Sequence, residues 1–490
     1  MRQRQYLRER YRALFSYIGL IVAVIGIVQL IPLILLVFYP DEVSYAPSFL
    51  SVGLPVLLIG LLSWRLLKPK QDVSVTLQEG FVVVLLVWLI AMITGAIPIM
   101  LIADLSFTQA LFESTSGWTT TGLSVVDVTD VPNILLFYRS VIQFAGGAGL
   151  AILALSAITG PIGASVSAAE GRSDQLAPHV RQSLQIVLQL YTAYIVLGIL
   201  SYWLAGMSLF DAVNHTFAAV STGGFSTRPE SIGYWDSPLI EAITIVLMFA
   251  GTINFLVAYT VIKGKWRAVI RHGEIRLMAI FIPLVSVLLV AFVTIGLYPT
   301  ASKAIRVGIF ETISALSTTG FSTVGYGDWS QFGWFLLIML MFVGGGTGST
   351  AGGIKQFRIY ILYKAVVWEI KRSFLPPSTV NQPQLWYGDG YQSITDNVVR
   401  RSSIFVGFYV FFFLIGSGIM VAHGYSIGES FFEFASTLST VGLSVGVTSP
   451  TAPDGVLWGQ IFGMLLGRLE FFAVVIGLLK IGQDTAKMVA

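Results

Sequence analysis

Residues 113–124 read Glu-Ser-Thr-Ser-Gly-Trp-Thr-Thr-Thr-Gly-Leu-Ser, and the same pattern returns three more times along the chain. In every copy a Glu or His stands nine residues before a glycine, a Thr stands two residues before it, and Leu-Ser or Phe-Ser follows it. The four core segments are Thr120-Thr121-Gly122-Leu123, Thr222-Gly223-Gly224-Phe225, Thr318-Thr319-Gly320-Phe321 and Thr440-Val441-Gly442-Leu443. Small residues also serve close helix packing in membranes. That role does not explain four copies at one offset, so we interpret the pattern as an internal repeat.

The composition around these segments indicates a membrane protein. Hydrophobic residues make up 55% of the 490 residues and charged residues 11%, less than half of the roughly 25% that is usual in soluble domains. Ten apolar runs have the length of about 20 residues that a spanning helix needs. They cover residues 13–40, 43–64, 81–103, 140–169, 182–210, 242–262, 277–302, 329–354, 402–428 and 455–479. The sequence therefore predicts about ten transmembrane helices.

The basic residues predict the orientation. With the N-terminus on the cytoplasmic side, the cytoplasmic segments hold 24 of the 29 Lys and Arg residues, as the positive-inside rule requires. These segments are 1–12, 65–80, 159–181, 263–276, 355–401 and 480–490. The first apolar run is too long for a signal peptide and reads as an anchor. The chain has no cysteine, which excludes thiol catalysis and thiolate metal sites.

Each repeated segment lies between two apolar runs, on the predicted outer side. It follows a stretch such as 105–117 or 427–437 that is too short to cross the bilayer, so we expect a re-entrant pore loop. Non-helical backbone at membrane depth is tolerated where it lines a water-filled cavity or is buried in protein. Four such segments around one axis would present rings of carbonyl oxygens, which replace the hydration shell of potassium. We expect Glu113, His215, Glu311 and Glu433 to hydrogen-bond the loops behind these segments.

The glycine-rich stretch Gly344-Gly345-Gly346-Thr347-Gly348-Ser349-Thr350-Ala351-Gly352-Gly353-Ile354-Lys355 needs a separate explanation. It lacks the Gly-Lys-Ser/Thr ending of a nucleotide-binding P-loop. So many glycines do not hold a stable helix, so we predict a break inside the membrane, for which a tight-packing kink is the alternative explanation. A second unusual element is Gly467-Arg468-Leu469-Glu470, which puts charges inside the tenth run.

Together these motifs resemble the Trk/Ktr/HKT superfamily of potassium transporters, and in particular its TrkH branch. The resemblance covers nearly the whole chain. It implies an all-α membrane fold in which four pseudo-symmetric helix–pore loop–helix repeats surround one pore, with an N-terminal helix pair at the periphery. We accordingly divide the chain into the pair 1–70 and the repeats 71–182, 183–272, 273–398 and 399–490, with the glycine-rich loop 344–353 in the third repeat.

The resemblance also implies a function and a mechanism. The four Thr-x-Gly segments would form a potassium selectivity filter, and serine at the first glycine accompanies sodium preference in the plant branch, so Gly122 favours potassium. The literal potassium-channel signature Thr323-Val-Gly-Tyr-Gly-Asp328 falls five residues outside this register, and we expect it to be outer loop. A gate below the filter would consist of Gly344, Gly345, Gly346, Thr347, Gly348, Ser349, Gly352, Gly353, Lys355 and Arg468, unless Arg468 forms only an ion pair with Glu470 or a pore-helix carboxylate.

The implied assembly is a homodimer with one pore per subunit, embedded in membrane lipid and gated by a cytoplasmic nucleotide-binding subunit of the TrkA type. Segments 263–276 and 355–401 are candidate docking surfaces, although topology alone would also explain their charge. K⁺ would be the substrate, with no organic cofactor and no nucleic acid bound by this chain. Two alternatives remain open: a secondary transporter that couples K⁺ to H⁺ or Na⁺, and a sodium-permeable pore. No catalytic constellation supports a membrane enzyme.

Overall fold

The computed structural model describes residues 2–69, 75–148, 180–376, 383–387 and 390–489. Within these ranges the chain is helical apart from loops and one antiparallel hairpin, formed by β1 (Gln384–Tyr387) and β2 (Gly390–Ser393). The predicted boundary at residue 70 and most of the predicted cytoplasmic segment 159–181 lie outside the described residues.

An N-terminal pair precedes the repeats. It consists of α1 (Arg2–Leu30) and α2 (Ala46–Leu66), joined by 3₁₀ turns at Ile31–Val37 and Pro40–Tyr45. The two helices approach each other closely along glycines. A Cβ added to Gly60 would lie 2.4 Å from the backbone nitrogen of Ala23, as expected where small residues let membrane helices pack. The division of the chain into domains remains a prediction.

Four units of the same build follow, each with an outer helix, a short pore helix and an inner helix. The first unit has α3 (Leu77–Ala103), α4 (Phe107–Trp118) and α5 (Asn133–Ala148). The second has α6 (Val180–Leu204), α7 (Leu209–Val220), and an inner helix split into α8 (Pro238–Thr252) and α9 (Phe255–Ile262). A short helix, α10 (Trp266–Arg271), leads to the third unit.

The third unit has α11 (Gly273–Leu289), α12 (Ala301–Ser317), and an inner helix split into α13 (Gln331–Val343) and α14 (Gln356–Arg372). The fourth has α15 (Asp396–Ala422), α16 (Ile427–Leu438), and an inner helix split into α17 (Asp454–Arg468) and α18 (Phe472–Val489). The inner helix of each unit packs against the pore helix of the next: α5 on α7, α8 on α12, α13 on α16, and α17 on α4. This cyclic packing closes the four units around one axis.

The pore helices begin at side-chain caps that the sequence contains. Ser106, Ser208 and Ser426 each accept a hydrogen bond from the backbone N–H three residues later, and Thr300 does the same for α12. Such caps satisfy N–H groups that a helix start leaves unpaired. With only 12 residues each, α4, α7 and α16 reach about 18 Å, too short to span the bilayer, which confirms the predicted re-entrant stretches.

The predicted spans are only partly straight helices. Six described helices are long and apolar enough to cross a membrane, and two bent pairs raise the number to eight. The run 329–354 ends as a helix at Val343, as predicted, because the glycine-rich segment follows. The continuation of the run 140–169 beyond Ala148 lies outside the described residues.

Two bends were not predicted. The run 242–262 turns by 111° between α8 and α9, and the run 455–479 turns by 98° between α17 and α18. The prediction that the tenth run forms one helix with Arg468 inside it is therefore wrong, because Arg468 is the last residue of α17. Glu470 and Phe471 take positive φ angles of 56° and 48°, which end the helix, and the break lets Arg468 and Glu470 reach different polar partners.

Candidate functional site: a ring of four segments and the loop beneath it

The four Thr-x-Gly segments share one unusual backbone conformation. The first threonine of each has a positive φ, at 56° for Thr120, 53° for Thr222, 52° for Thr318 and 51° for Thr440. A β-branched residue rarely adopts this region, and such strain concentrates at functional sites. Its fourfold occurrence at one position shows that the repeats share the same local backbone structure as well as the same sequence pattern.

The last glycine of each segment also has a positive φ, between 74° and 103°, and lies directly against the neighbouring segment. A Cβ added to one of these glycines would collide with the carbonyl oxygen of the middle residue of the next segment. These approaches run in one direction around the axis: Gly122 to Gly223 at 2.2 Å, Gly224 to Thr319 at 2.0 Å, Gly320 to Val441 at 2.0 Å, and Gly442 to Thr121 at 2.3 Å. The segments therefore form a closed ring, which we call the Thr-x-Gly ring, with space for glycine only.

The ring opens on one side into a cavity of about 460 Å³ that is lined by all four of its glycines. Gly325 of the channel-like signature also lines this cavity, but no atom lies within 4 Å of its added Cβ. Gly320, and not Gly325, thus has the ring geometry of the other three glycines. The hydrophobic residues that close each segment, Leu123, Phe225, Phe321 and Leu443, are buried.

The residue nine positions before each ring glycine holds the loop behind the ring, as predicted. Glu113 accepts hydrogen bonds from Val125 N (2.9 Å) and from the hydroxyl of Ser124 (3.0 Å). The other three contact their own loops in the same way: His215 with Ser226, Glu311 with Thr323 and Tyr326, and Glu433 with Ser444, Val445 and Thr448. All four side chains are fully buried.

Several supporting residues were not identified from the sequence. Arg139 on α5 forms a buried ion pair with Glu113 at 2.7 Å and lies over the Phe225 ring at 4.0 Å. Ser116 and Ser436 accept hydrogen bonds from the N–H of their ring glycines, both at 3.0 Å. The serine was visible as part of the repeated pattern, whereas Arg139 lies outside the pattern and gave no local signal.

The glycine-rich segment between α13 and α14 doubles back on itself as a non-helical loop. Gly345 N donates to Gly352 O at 3.3 Å, and positive φ angles occur at Gly344, Gly348, Gly353 and Lys355. A hydrogen bond attaches the first half of this segment to α11: Thr347 N donates to the buried carboxylate of Glu274 at 2.8 Å. Lys355 folds its ammonium back to Ala351 O. The prediction of a break in the helix is thus confirmed.

This loop and Arg468 lie directly against the ring threonines, on the side opposite the 460 Å³ cavity. Gly352 N donates to the Thr318 hydroxyl at 2.7 Å, and the hydroxyls of Thr350 and Thr222 are 3.1 Å apart. A Cβ added to Gly352 would lie 2.2 Å from the Thr440 hydroxyl. Arg468 donates to the fourth threonine, Thr120, at 3.2 Å. Each threonine of the ring therefore has a neighbour beneath it.

Arg468 also links the loop to the first repeat. Its guanidinium donates to Thr350 O at 2.8 Å and to Gly146 O at 2.6 Å. Glu470 is ion-paired with Arg358 of α14, so this carboxylate has a basic partner other than Arg468. A space of only about 30 Å³ remains between the loop and Arg468, enough for one or two water molecules.

Comparison with known proteins agrees with this architecture. A model of the TrkH family, described as a cation transport protein, matches residues 53–487. An uncharacterized cation transporter of Methanocaldococcus jannaschii is 32% identical, over 96% of this chain and 95% of its own length. The Trk system potassium uptake protein TrkH of Escherichia coli K12 is 31% identical, over 95% and 98%. The crystal structure of the potassium transporter TrkH from Vibrio parahaemolyticus superposes with a TM-score of 0.81 at 29% identity, over 95% and 98% of the two chains.

Proposed function

Because the chain belongs to the TrkH family of cation transport proteins, we propose that it takes up potassium through one pore whose selectivity filter is the Thr-x-Gly ring. The family is one of multi-pass membrane transporters and not of enzymes. Relatives over nearly the full length are named potassium uptake proteins. The observation that carries the proposal is the closed ring itself, with a threonine and a glycine at positive φ in all four segments.

The ring geometry suits a desolvated monovalent cation. Carbonyl oxygens in such rings replace the water shell of potassium. The middle residue of each segment supplies a carbonyl at the same level, against the glycine of its neighbour. Because all four of these positions are glycine, no side chain perturbs the carbonyl ring there. This favours a potassium-selective pore over a sodium-permeable one.

The pore would be closed below the filter. The glycine-rich loop reaches three ring threonines and Arg468 reaches the fourth, so a cation that leaves the filter meets backbone and a fixed positive charge. The loop is the steric part of the gate and Arg468 is the electrostatic part. This loop contains the predicted gate residues 344–349, 352, 353 and 355. Thr350 was not among the predicted gate residues, but it connects the loop to Arg468.

Opening would be controlled from the cytoplasmic side. The predicted docking segments 263–276 and 355–401 meet in the structure, where the Arg271 guanidinium lies 5.2 Å from the Trp386 ring on the β-hairpin. Both segments lead to the gate, because α11 carries Glu274, which binds Thr347, and α14 follows Lys355 directly. The name Trk system indicates several components for the relatives, and a TrkA-type nucleotide-binding subunit on a homodimer of this chain is the assembly we propose.

Membrane potential would supply the energy. One charge that crosses 100 mV gains about 2.3 kcal/mol, which corresponds to about 40-fold accumulation. With the N-terminus cytoplasmic, a negative interior drives potassium inward without ATP hydrolysis by this chain. Coupling of K⁺ to H⁺ or Na⁺ is the competing hypothesis.

The decisive experiment is a reversal-potential measurement on the purified chain in liposomes, with opposed potassium and sodium gradients. We expect a reversal potential close to the equilibrium potential of potassium. The potassium flux at a fixed voltage should stay unchanged when a pH gradient is imposed. Removal of several residues from 344–353 should raise the flux while the protein still assembles as the parent does. A reversal potential close to the equilibrium potential of sodium contradicts the filter assignment. A flux that depends on the pH gradient favours coupled transport.

A further inference from the structure

The ring is not fully symmetric in the way that its backbone is held. Three repeats carry a serine six residues before the ring glycine, namely Ser116, Ser314 and Ser436. Ser116 and Ser436 accept from the glycine N–H at 3.0 Å, and Ser314 donates to Phe321 O at 2.5 Å. Each serine thus fixes the backbone at or just after its own glycine, from its own pore helix.

The second repeat has Ala218 at this position, fully buried and without a hydroxyl. Its place is taken by Gln143, which belongs to α5 of the first repeat and is also fully buried. The side-chain oxygen of Gln143 accepts from Phe225 N at 3.1 Å, and its nitrogen donates to Gly223 O at 2.6 Å. One side chain from another repeat therefore holds the backbone on both sides of Gly224.

The Gly223 carbonyl is one of the four middle carbonyls of the ring and lies 2.2 Å from where a Cβ of Gly122 would be. A donor at 2.6 Å restricts its orientation and takes up part of its capacity to accept. Selectivity among cations depends on the number and field strength of the carbonyls and on how far they can relax. A restrained carbonyl is less able to close around the smaller sodium ion.

We infer that Gln143 is a specificity-determining positioning residue, which orients the Gly223 carbonyl from outside the pore and keeps the second segment from adapting to sodium. The inference rests on the proposed filter. In the second repeat the Gln143 amide takes the role that a pore-helix serine has in the other three repeats. The position of the second segment in the ring therefore depends on how α5 packs.

The test is Gln143→Leu, which keeps the approximate volume and removes both hydrogen bonds. Without these bonds the Gly223 carbonyl can relax toward the smaller ion, so we expect the potassium-over-sodium permeability ratio to fall about tenfold, measured from reversal potentials in liposomes. The matched control is Gln29→Leu on α1. Gln29 is equally buried, but it donates to the hydroxyl of Thr94 on α3 and contacts neither the ring nor its loops, so its loss should leave the ratio unchanged.

Adding Ala218→Ser to Gln143→Leu supplies the serine of the other repeats and should recover part of the ratio. If Gln143→Leu does not assemble, the unbranched Gln143→Met removes the same two hydrogen bonds with a more adaptable side chain, and it should also lower the ratio. A parent that selects potassium together with a Gln143 variant that selects it equally well overturns the inference and leaves the proposed function standing. A parent without selectivity overturns the proposed function itself.

Discussion

Replacement of Arg468 by alanine probes the electrostatic half of the proposed gate. Arg468 ends α17, donates to Thr350 O and Gly146 O, and lies 3.2 Å from the Thr120 hydroxyl at the lower edge of the ring. A cation bound to the other side of that hydroxyl would lie roughly 6 Å from the guanidinium. At an effective dielectric constant of about 20, two unit charges at this separation repel by about 3 kcal/mol.

Removal of that repulsion should raise the cation flux up to about 100-fold, since each 1.4 kcal/mol is a factor of ten. The loop is also released, because Thr350 O loses its donor. The assay is potassium efflux from liposomes that contain the purified variant, at a clamped voltage and matched protein density. The control is Arg468→Lys, which keeps the charge and should conduct within about tenfold of the parent.

Assembly must be checked in the same preparations, because alanine leaves two carbonyls without this donor, at a cost of about 1–3 kcal/mol for each buried group. Size-exclusion chromatography and thermal unfolding serve for this. If Arg468→Ala and the loop-shortened variant both assemble normally and conduct no faster than the parent, neither element is the gate. Equal stimulation by alanine and by lysine would show that the hydrogen bonds matter and the charge does not.

Three further predictions use the same liposome assays. Gly122→Ser should lower the potassium preference, because its φ is 92° and its Cβ would lie 2.2 Å from the Gly223 oxygen; an unchanged reversal potential counts against the filter assignment. Gly325→Ala should change neither flux nor selectivity, since nothing lies within 4 Å of its Cβ; a loss of selectivity would restore the channel-like register. Arg358→Glu and Glu470→Arg should each alter the flux by freeing α14 from the α17–α18 break, and the double exchange should return it toward the parent value; a double variant no closer to the parent than either single one rules out a direct role of this ion pair.

The sequence predicted those parts of the site that are encoded within one repeat. The nine-residue offset between Glu113 and Gly122 identifies the carboxylate behind the loop and the glycine in the ring. Because this offset occurs four times, the sequence predicted the four pore loops and their register. The break at 344–353 was predictable because glycine is a poor helix former in any context. Each of these features depends on a short stretch of chain.

Contacts between repeats were not predictable in this way. Gln143 acts on Gly223 from 80 residues away, and nothing near either residue indicates the other. The bend after Arg468 was missed because an apolar run carries no information about partners. Glu470 meets Arg358 of the third repeat, 112 residues earlier, and nothing within the run indicates this partner.

The polar groups buried around the ring follow from the strain within it. Each threonine at positive φ is disfavoured by about 1–3 kcal/mol, and such residues persist only where the surroundings over-determine them. In this chain the surroundings are the hydrogen bonds that the four loops make with Glu113 and its three counterparts, with the pore-helix serines, and with Gln143. A buried polar network is stabilising only when its members are satisfied together. The carboxylates in the membrane are therefore accounted for by the backbone that they hold. In the proposed filter, selectivity would depend on this surrounding network as much as on the carbonyls that face the ion.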